Sequence, residues 1–232
     1  MSNERYRDQL LRELDRSARL RSRTLGDAGF RERRRALRAW QASRLARTHR
    51  DLLESPRFRD AAQFFLTDLY GPKDLSRHIE DVRRIVPVMT RLLPDSGVAT
   101  VAHAVELNAL SESLDGAMAD ALGAGMATIT ETAYGAAYRT VGRAGDRERQ
   151  IELIELLGGA LEGLARQRFV GAALKMMRGS ARAAGLGELQ GFLERGYSAF
   201  RAMRGGAGEF ISLIVARERS IAKALFAGDD AL

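Results

Sequence analysis

Between Phe64 and Asp115 apolar residues recur at helical spacing more densely than anywhere else in the chain, and nowhere does an apolar–polar alternation of period two persist for long. A half-buried strand needs the second pattern and a core-facing helix the first, because successive side chains turn by about 100° on a helix and alternate sides on a strand. Ala, Leu, Arg and Glu dominate, Val and Ile are a minority, and only four prolines occur in 232 residues. Those are good helix formers with few breakers. The expectation is an all-α fold, a single-domain multi-helix bundle with one substantial core.

Turn and cap residues divide the chain into about nine helices. Residues 4–24 carry Leu10, Leu11, Leu14 and Ala18 on one face, and Gly26 to Gly29 break the helix. Arg31–Glu54 is a second helix, with Leu37, Trp40, Arg44, Leu45, Thr48 and Leu52 on its stripe. Ser55-Pro56 opens a third through Tyr70, because proline fits the first helical position behind a serine cap. Tyr70-Gly71-Pro72 stops it. Asp74 or Ser76 caps a helix to Leu93, with a kink near Arg83–Pro87 where Pro87 removes a backbone hydrogen bond. Further helices are expected at 98–122, 126–143, 147–178, 187–204 and 208–226. The later ones contain Gly158, Gly159, Gly163, Gly171, Gly191 and Gly196, read as points of close helix packing in preference to a surface where a flat ligand or a partner helix approaches the backbone. No repeat of fixed period occurs.

Charge divides the chain in two. The formal net charge is +7, yet residues 1–50 hold fifteen Arg and six acids, a balance of +9, and the rest sums to −2. We therefore separate a basic amphipathic helical region, 1–54, from a helical bundle core, 55–232. Arg33, Arg34, Arg35 and Arg38 are the candidates for binding an anion or a partner. Nucleic acid or an anionic membrane surface would suit a positive field, but acids are interspersed and no nucleic-acid motif appears, so a solvated helix face is favoured over nucleic acid. The same two long amphipathic helices suit a dimer interface.

With no cysteine in the chain, disulfides, thiolate nucleophiles and thiolate-held metals are excluded. The N-terminal Met-Ser-Asn-Glu-Arg-Tyr lacks the apolar core of a signal peptide. The longest weakly charged stretch, Ala121–Ala137, is too short and too polar to span a bilayer. A cytoplasmic protein is the expectation.

Two spacings could carry chemistry. His78 precedes Asp81, and His103 precedes Glu106, each by three residues, so each pair shares a helix face. Di-iron bundles use Glu-x-x-His pairs with two further glutamates. Here the order is reversed, and Glu131, beside Tyr134 and Tyr138, is the one nearby extra carboxylate. The metal candidates are therefore His78, Asp81, His103 and Glu106, with haem ligation a variant. Buried imidazoles hydrogen-bonded by neighbouring acids are the favoured reading. His49, inside the basic Arg47–Arg50 segment, is expected to be exposed. Nucleophile-elbow, dinucleotide-binding and P-loop patterns are absent.

Three segments, FFLTDLYGPKDLSRHIEDVRRIVPVMTRLLP (64–94), VAHAVELNALSESLD (101–115) and FLERGYSAFRAMRGGAGEFISLIVARERSI (192–221), resemble an uncharacterised bacterial family of similar length. The resemblance covers most of the chain after Arg34. It implies one all-helical domain and carries no activity, cofactor or functional residue. The functional expectation is a non-catalytic helical binding protein whose partner is a protein or a second copy of itself. The alternative is a metal- or haem-dependent enzyme or sensor using His78 and His103.

Overall fold

The computed structural model describes residues 2–69, 76–92, 94–123 and 128–230. Among them are eleven α-helices: α1 (Ser2–Gly26), α2 (Ala28–Thr48), α3 (Arg50–Glu54), α4 (Arg59–Phe64), α5 (Ser76–Leu92), α6 (Asp95–Leu122), α7 (Glu131–Val141), α8 (Ala144–Arg166), α9 (Arg168–Ala183), α10 (Gly187–Ala202) and α11 (Ala207–Ala227). A π-helical turn, Phe65–Leu69, continues α4. The fold is all-α, as the periodicity requires.

Helix α6 is the organising element. Val98, Ala102, Val105 and Ala109 are buried on one side of it, and Leu110, Leu114 and Met118 extend the burial round the axis. A helix apolar on more than one side has to be central. Leu10 and Leu14 of α1 pack with Val86 of α5 and with Ala102 and Val105 of α6. Phe30 and Leu37 of α2 join Met118, Tyr134, Tyr138 and Leu225 in a second cluster, where Trp40 stacks on Tyr134 with ring centroids 4.2 Å apart. The basic first 54 residues are thus packed onto helices of the remainder. A third, larger cluster joins α3, α4, α8, α10 and α11 around Leu52, Phe58, Phe64, Phe200 and Phe210.

Several helix boundaries differ from the sequence reading, among them the helix expected at 126–143, which begins only at Glu131 (α7), where the Thr130 hydroxyl accepts the Ala133 N–H at 3.1 Å. Helix α2 begins earlier, at Ala28, because the Asp27 carboxylate accepts the Phe30 N–H at 2.9 Å, and it ends at His49 rather than running to Glu54. Pro56 does not open α4. Pro56, Arg57 and Phe58 form a turn, the Ser55 carbonyl accepts the Phe58 and Arg59 N–H groups, and Arg57 Nε is drawn to the Met203 carbonyl at 3.1 Å. The long helix expected over 147–178 is two helices. Gln167 has extended backbone between them, and its carbonyl accepts the Tyr197 hydroxyl at 3.3 Å. No glycine or proline marks that break. Helix α5 runs through Pro87. The Tyr70-Gly71-Pro72 stop lies outside the described residues.

The glycines divide into two kinds. A Cβ on Gly158 would stand 2.4 Å from Cγ1 of Ile211, and one on Gly171 would meet the Tyr197 ring at 2.7 Å. These are the close approaches expected from the sequence. Gly158→Ala gains about 0.5–1 kcal/mol of helix propensity but forces Ile211 out of a packed position, an overpacking cost of about 1–3 kcal/mol. The expected result is a net loss of stability, read as a lower urea midpoint at unchanged slope. Around Gly159 and Gly163, in contrast, a Cβ would meet nothing within 4 Å.

Candidate functional site

The arginine-rich helices use their guanidinium groups to fasten helices together. Arg34, buried on α2, donates through Nη2 to Glu112 of α6 at 2.6 Å and through Nη1 to the Thr24 hydroxyl at 2.7 Å. Arg38 approaches the same Glu112 at 3.7 Å. Arg33 lies 5.8 Å from the Phe30 ring centroid, and Arg35 is exposed. Of the four candidate anion-binding arginines, Arg34 and Arg38 therefore face a carboxylate of this same chain. They do not form one outward row.

The histidine pairs separate. His78 lies in α5, and its side chain is outside the described residues. Asp81 is buried and pairs with Arg84, one turn along the same helix. His103 is half-buried, edge-on to Tyr6 with ring centroids 5.9 Å apart. Burial holds its imidazole below the usual range, the Glu106 charge opposes this and Arg149 adds to it. Glu106 accepts from Gln9 Nε2 at 2.7 Å and from Arg149 Nε at 2.8 Å, so it ties α1 and α8 to α6. Glu131 pairs with Arg47 at 3.2 Å. Among the described residues no three His, Asp or Glu side chains stand close enough to hold one metal ion.

His49 contradicts the sequence expectation. It is buried at 6% exposure, at the α2–α3 junction, and its Nε2 stands 3.1 Å from Oε1 of Glu218 on α11. Arg44 Nη1 donates to the same oxygen at 2.6 Å. Burial alone would raise the Glu218 carboxyl, but the hydrogen bonds and positive charge from His49 and Arg44 outweigh it and bring the group down to about 2. Tyr138 lies in the same region. Its hydroxyl is pushed up to about 12, chiefly by burial, although the Arg147 guanidinium 4.6 Å from its ring centroid opposes the shift. A carboxylate–imidazole pair can do acid–base chemistry where substrate reaches it. Two clefts among the described residues are built elsewhere. One, of about 550 Å³, lies between Glu80, Asp81, Arg182, Gly185, Gly187 and Glu188. The other, of about 170 Å³, is lined by Phe30, Arg34 and Glu112 among others. The Arg44–His49–Glu218 cluster reads as a bolt between α2, α3 and α11.

Several large apolar side chains are exposed on neighbouring helices. Phe169 is 69% exposed, Met176 81% and Met177 57%, all on α9, with Leu156 and Leu164 on α8 and Leu193 on α10 also exposed. Isolated exposed hydrophobics are ordinary, whereas contiguous ones mark interaction surfaces. On α9, Phe169, Ala172, Ala173 and Met176 follow the i, i+3, i+4, i+7 rule of one helix face. The opposite face meets α10, where Gly171 abuts Tyr197 and Arg178 pairs with Glu194 at 2.6 Å. No sequence signal singled out this row, because an apolar helix face reads alike whether a neighbour covers it or not.

No helix among the described residues is long and apolar enough to cross a membrane. The chain belongs to the family of the domain of unknown function DUF8198, whose model matches residues 20–232. No curated protein and no solved structure matches it.

Proposed function

We propose that this chain is a cytoplasmic, non-catalytic helical interaction protein that associates with itself. The observation that carries this reading is the apolar row on α9, where Phe169, Ala172 and Met176 are exposed beside a half-buried Ala173, although α9 is amphipathic and packed on its other side. Large apolar side chains held on a rigid helix are what a protein partner buries, at roughly 25 cal/mol per Å². The charged groups support the same reading. Arg34, Arg44, Glu106, Glu112 and Glu218 are all engaged in contacts between helices, which leaves a scaffold with an apolar face.

The test is the solution mass of the untagged full chain, followed against concentration by sedimentation velocity. The expected result is a species heavier than the 25.5 kDa chain that dissociates on dilution. A monomer at every concentration contradicts self-association.

A further inference from the structure

We infer that the outward face of α1 is a nucleic-acid interface, a row of arginines that holds the phosphate backbone without reading its sequence. The inference uses a different helix from the self-association proposed above and does not depend on it.

Helix α1 turns Leu10, Leu14 and Ser17 inwards, where all three are buried. Arg5, Arg12, Arg16, Arg19 and Arg23 stand on the other side of the axis. At about 100° per residue they fall within an arc of about 60°, and at about 1.5 Å per residue the row is about 27 Å long. Arg5, Arg12, Arg19 and Arg23 are exposed and Arg16 is half-buried. The acids of α1 lie to either side of the row. Asp15 pairs with Arg83 of α5 at 2.7 Å and Asp8 with Arg7 at 3.8 Å. Arg16 and Arg23 have partners, Glu13 at 3.4 Å and Asp120 at 2.8 Å. Both pairs reach solvent and are of low individual value, so an incoming anion can share or replace them. Among the described residues no ion pair engages Arg5, Arg12 or Arg19.

A solvated helix face ordinarily sets cations three or four residues from acids, because opposite charges at that spacing stabilise a helix and like charges destabilise it. In this row Arg12, Arg16, Arg19 and Arg23 follow one another at that spacing with one sign. A bound anion relieves the repulsion. Each guanidinium presents a planar fork that binds two phosphate oxygens at once.

The row fits a linear polyanion better than a membrane. A helix that lies on a bilayer buries an apolar face in it, and the apolar face of α1 is taken up by α5 and α6. A narrow row on a convex helix follows a line of charges, and a duplex carries one phosphate per about 3.4 Å along each strand. Contacts to the backbone fix position and carry no sequence preference.

The experiment is fluorescence anisotropy of the full chain with a labelled duplex of mixed sequence, and with one of its strands, over a range of salt. Arg5→Gln/Arg12→Gln/Arg19→Gln takes three exposed cations from the row. Arg59→Gln/Arg166→Gln/Arg201→Gln takes three exposed cations from other helices and changes the net charge equally. Circular dichroism confirms each fold. The native chain is expected to bind at about 50 mM salt and to weaken as salt rises, with a log–log slope of about −0.9 per phosphate engaged on the duplex. The row variant is expected to bind at least about tenfold more weakly, with a slope shallower by about two to three, while the control variant stays within about threefold of native. Arg12→Glu, in the middle of the row, is expected to weaken binding about tenfold and serves if the triple variant does not fold.

A native chain that binds neither probe overturns the proposal. So does binding that the two triple variants weaken equally, since net charge alone then accounts for it. Binding confined to vesicles containing phosphatidylserine, and lost in the row variant, assigns the row to a lipid surface and overturns the nucleic-acid reading.

Discussion

Glu218→Ala lowers the stability of the fold by about 3–5 kcal/mol, the usual effect of removing one partner from a buried ion pair. The cause is what remains. Arg44 and His49, both buried, are left facing a site from which their shared acceptor has gone, and Arg44 cannot shed its proton to relieve the charge. Arg44→Leu/Glu218→Leu is expected to lose less than Glu218→Ala, since it leaves no buried guanidinium without its carboxylate and His49 can remain neutral. Urea unfolding at neutral pH measures both. A loss below about 1 kcal/mol for Glu218→Ala would mean that water reaches the cluster. The same pair gives a pH dependence of known sign. The folded carboxyl titrates at about 2 rather than at the ordinary 4.5. Its contribution is therefore complete above about pH 4.5 and is lost as pH falls towards 2, on the order of 3 kcal/mol in all. In the Glu218→Gln variant that part of the acid dependence is expected to disappear.

Phe210→Ala is the second large effect, about 3–5 kcal/mol. Phe210 is fully buried at 0% exposure. Its ring meets Phe58 at 5.7 Å and Phe65 at 5.5 Å between centroids, so it joins α11 to the turn before α4 and to the π-helical segment after it. Removing it opens a cavity among elements anchored by other large side chains, which can close only in part. Chemical denaturation checks the prediction, with Phe169→Ala as the comparison. Phe169 is 69% exposed, so its loss should leave monomer stability within about 0.5 kcal/mol while weakening association. A Phe210→Ala protein as stable as the native chain would contradict the packing described here.

The reach of the sequence is clearest in α6 and shortest at His49. Two apolar stripes on one helix demanded a central position, and α6 has it. The Asp27 cap and the extended Gln167 were less legible. Asp27 sits among glycines that read as a break, and Gln167 is held by a tyrosine thirty residues on. The buried cluster did leave a trace. Arg44 stands on the apolar stripe of its own helix, and Glu218 falls in register with Ile211, Ile214 and Val215. A charge on each of two apolar stripes is a reason to look for a buried pair. The basic neighbourhood Arg47–Arg50 concealed it, since local charge says nothing of which side chain turns inward. The uncovered row on α9 was not legible at all. Burial against a neighbour, or its absence, is a property of the assembled helices and not of one helix's periodicity.

Oxidative footprinting of Met176 tests the self-association account most directly, because its thioether, 81% exposed in the single chain, reports solvent access at the centre of the proposed interface. Brief hydroxyl-radical exposure over a series of protein concentrations, followed by mass spectrometry, gives its oxidation rate beside the solution mass. The account predicts that Met176 oxidation falls several-fold as the mass doubles, while an exposed methionine-free control peptide from α1 keeps its rate. A mass that doubles with Met176 oxidising at the monomer's rate would contradict it.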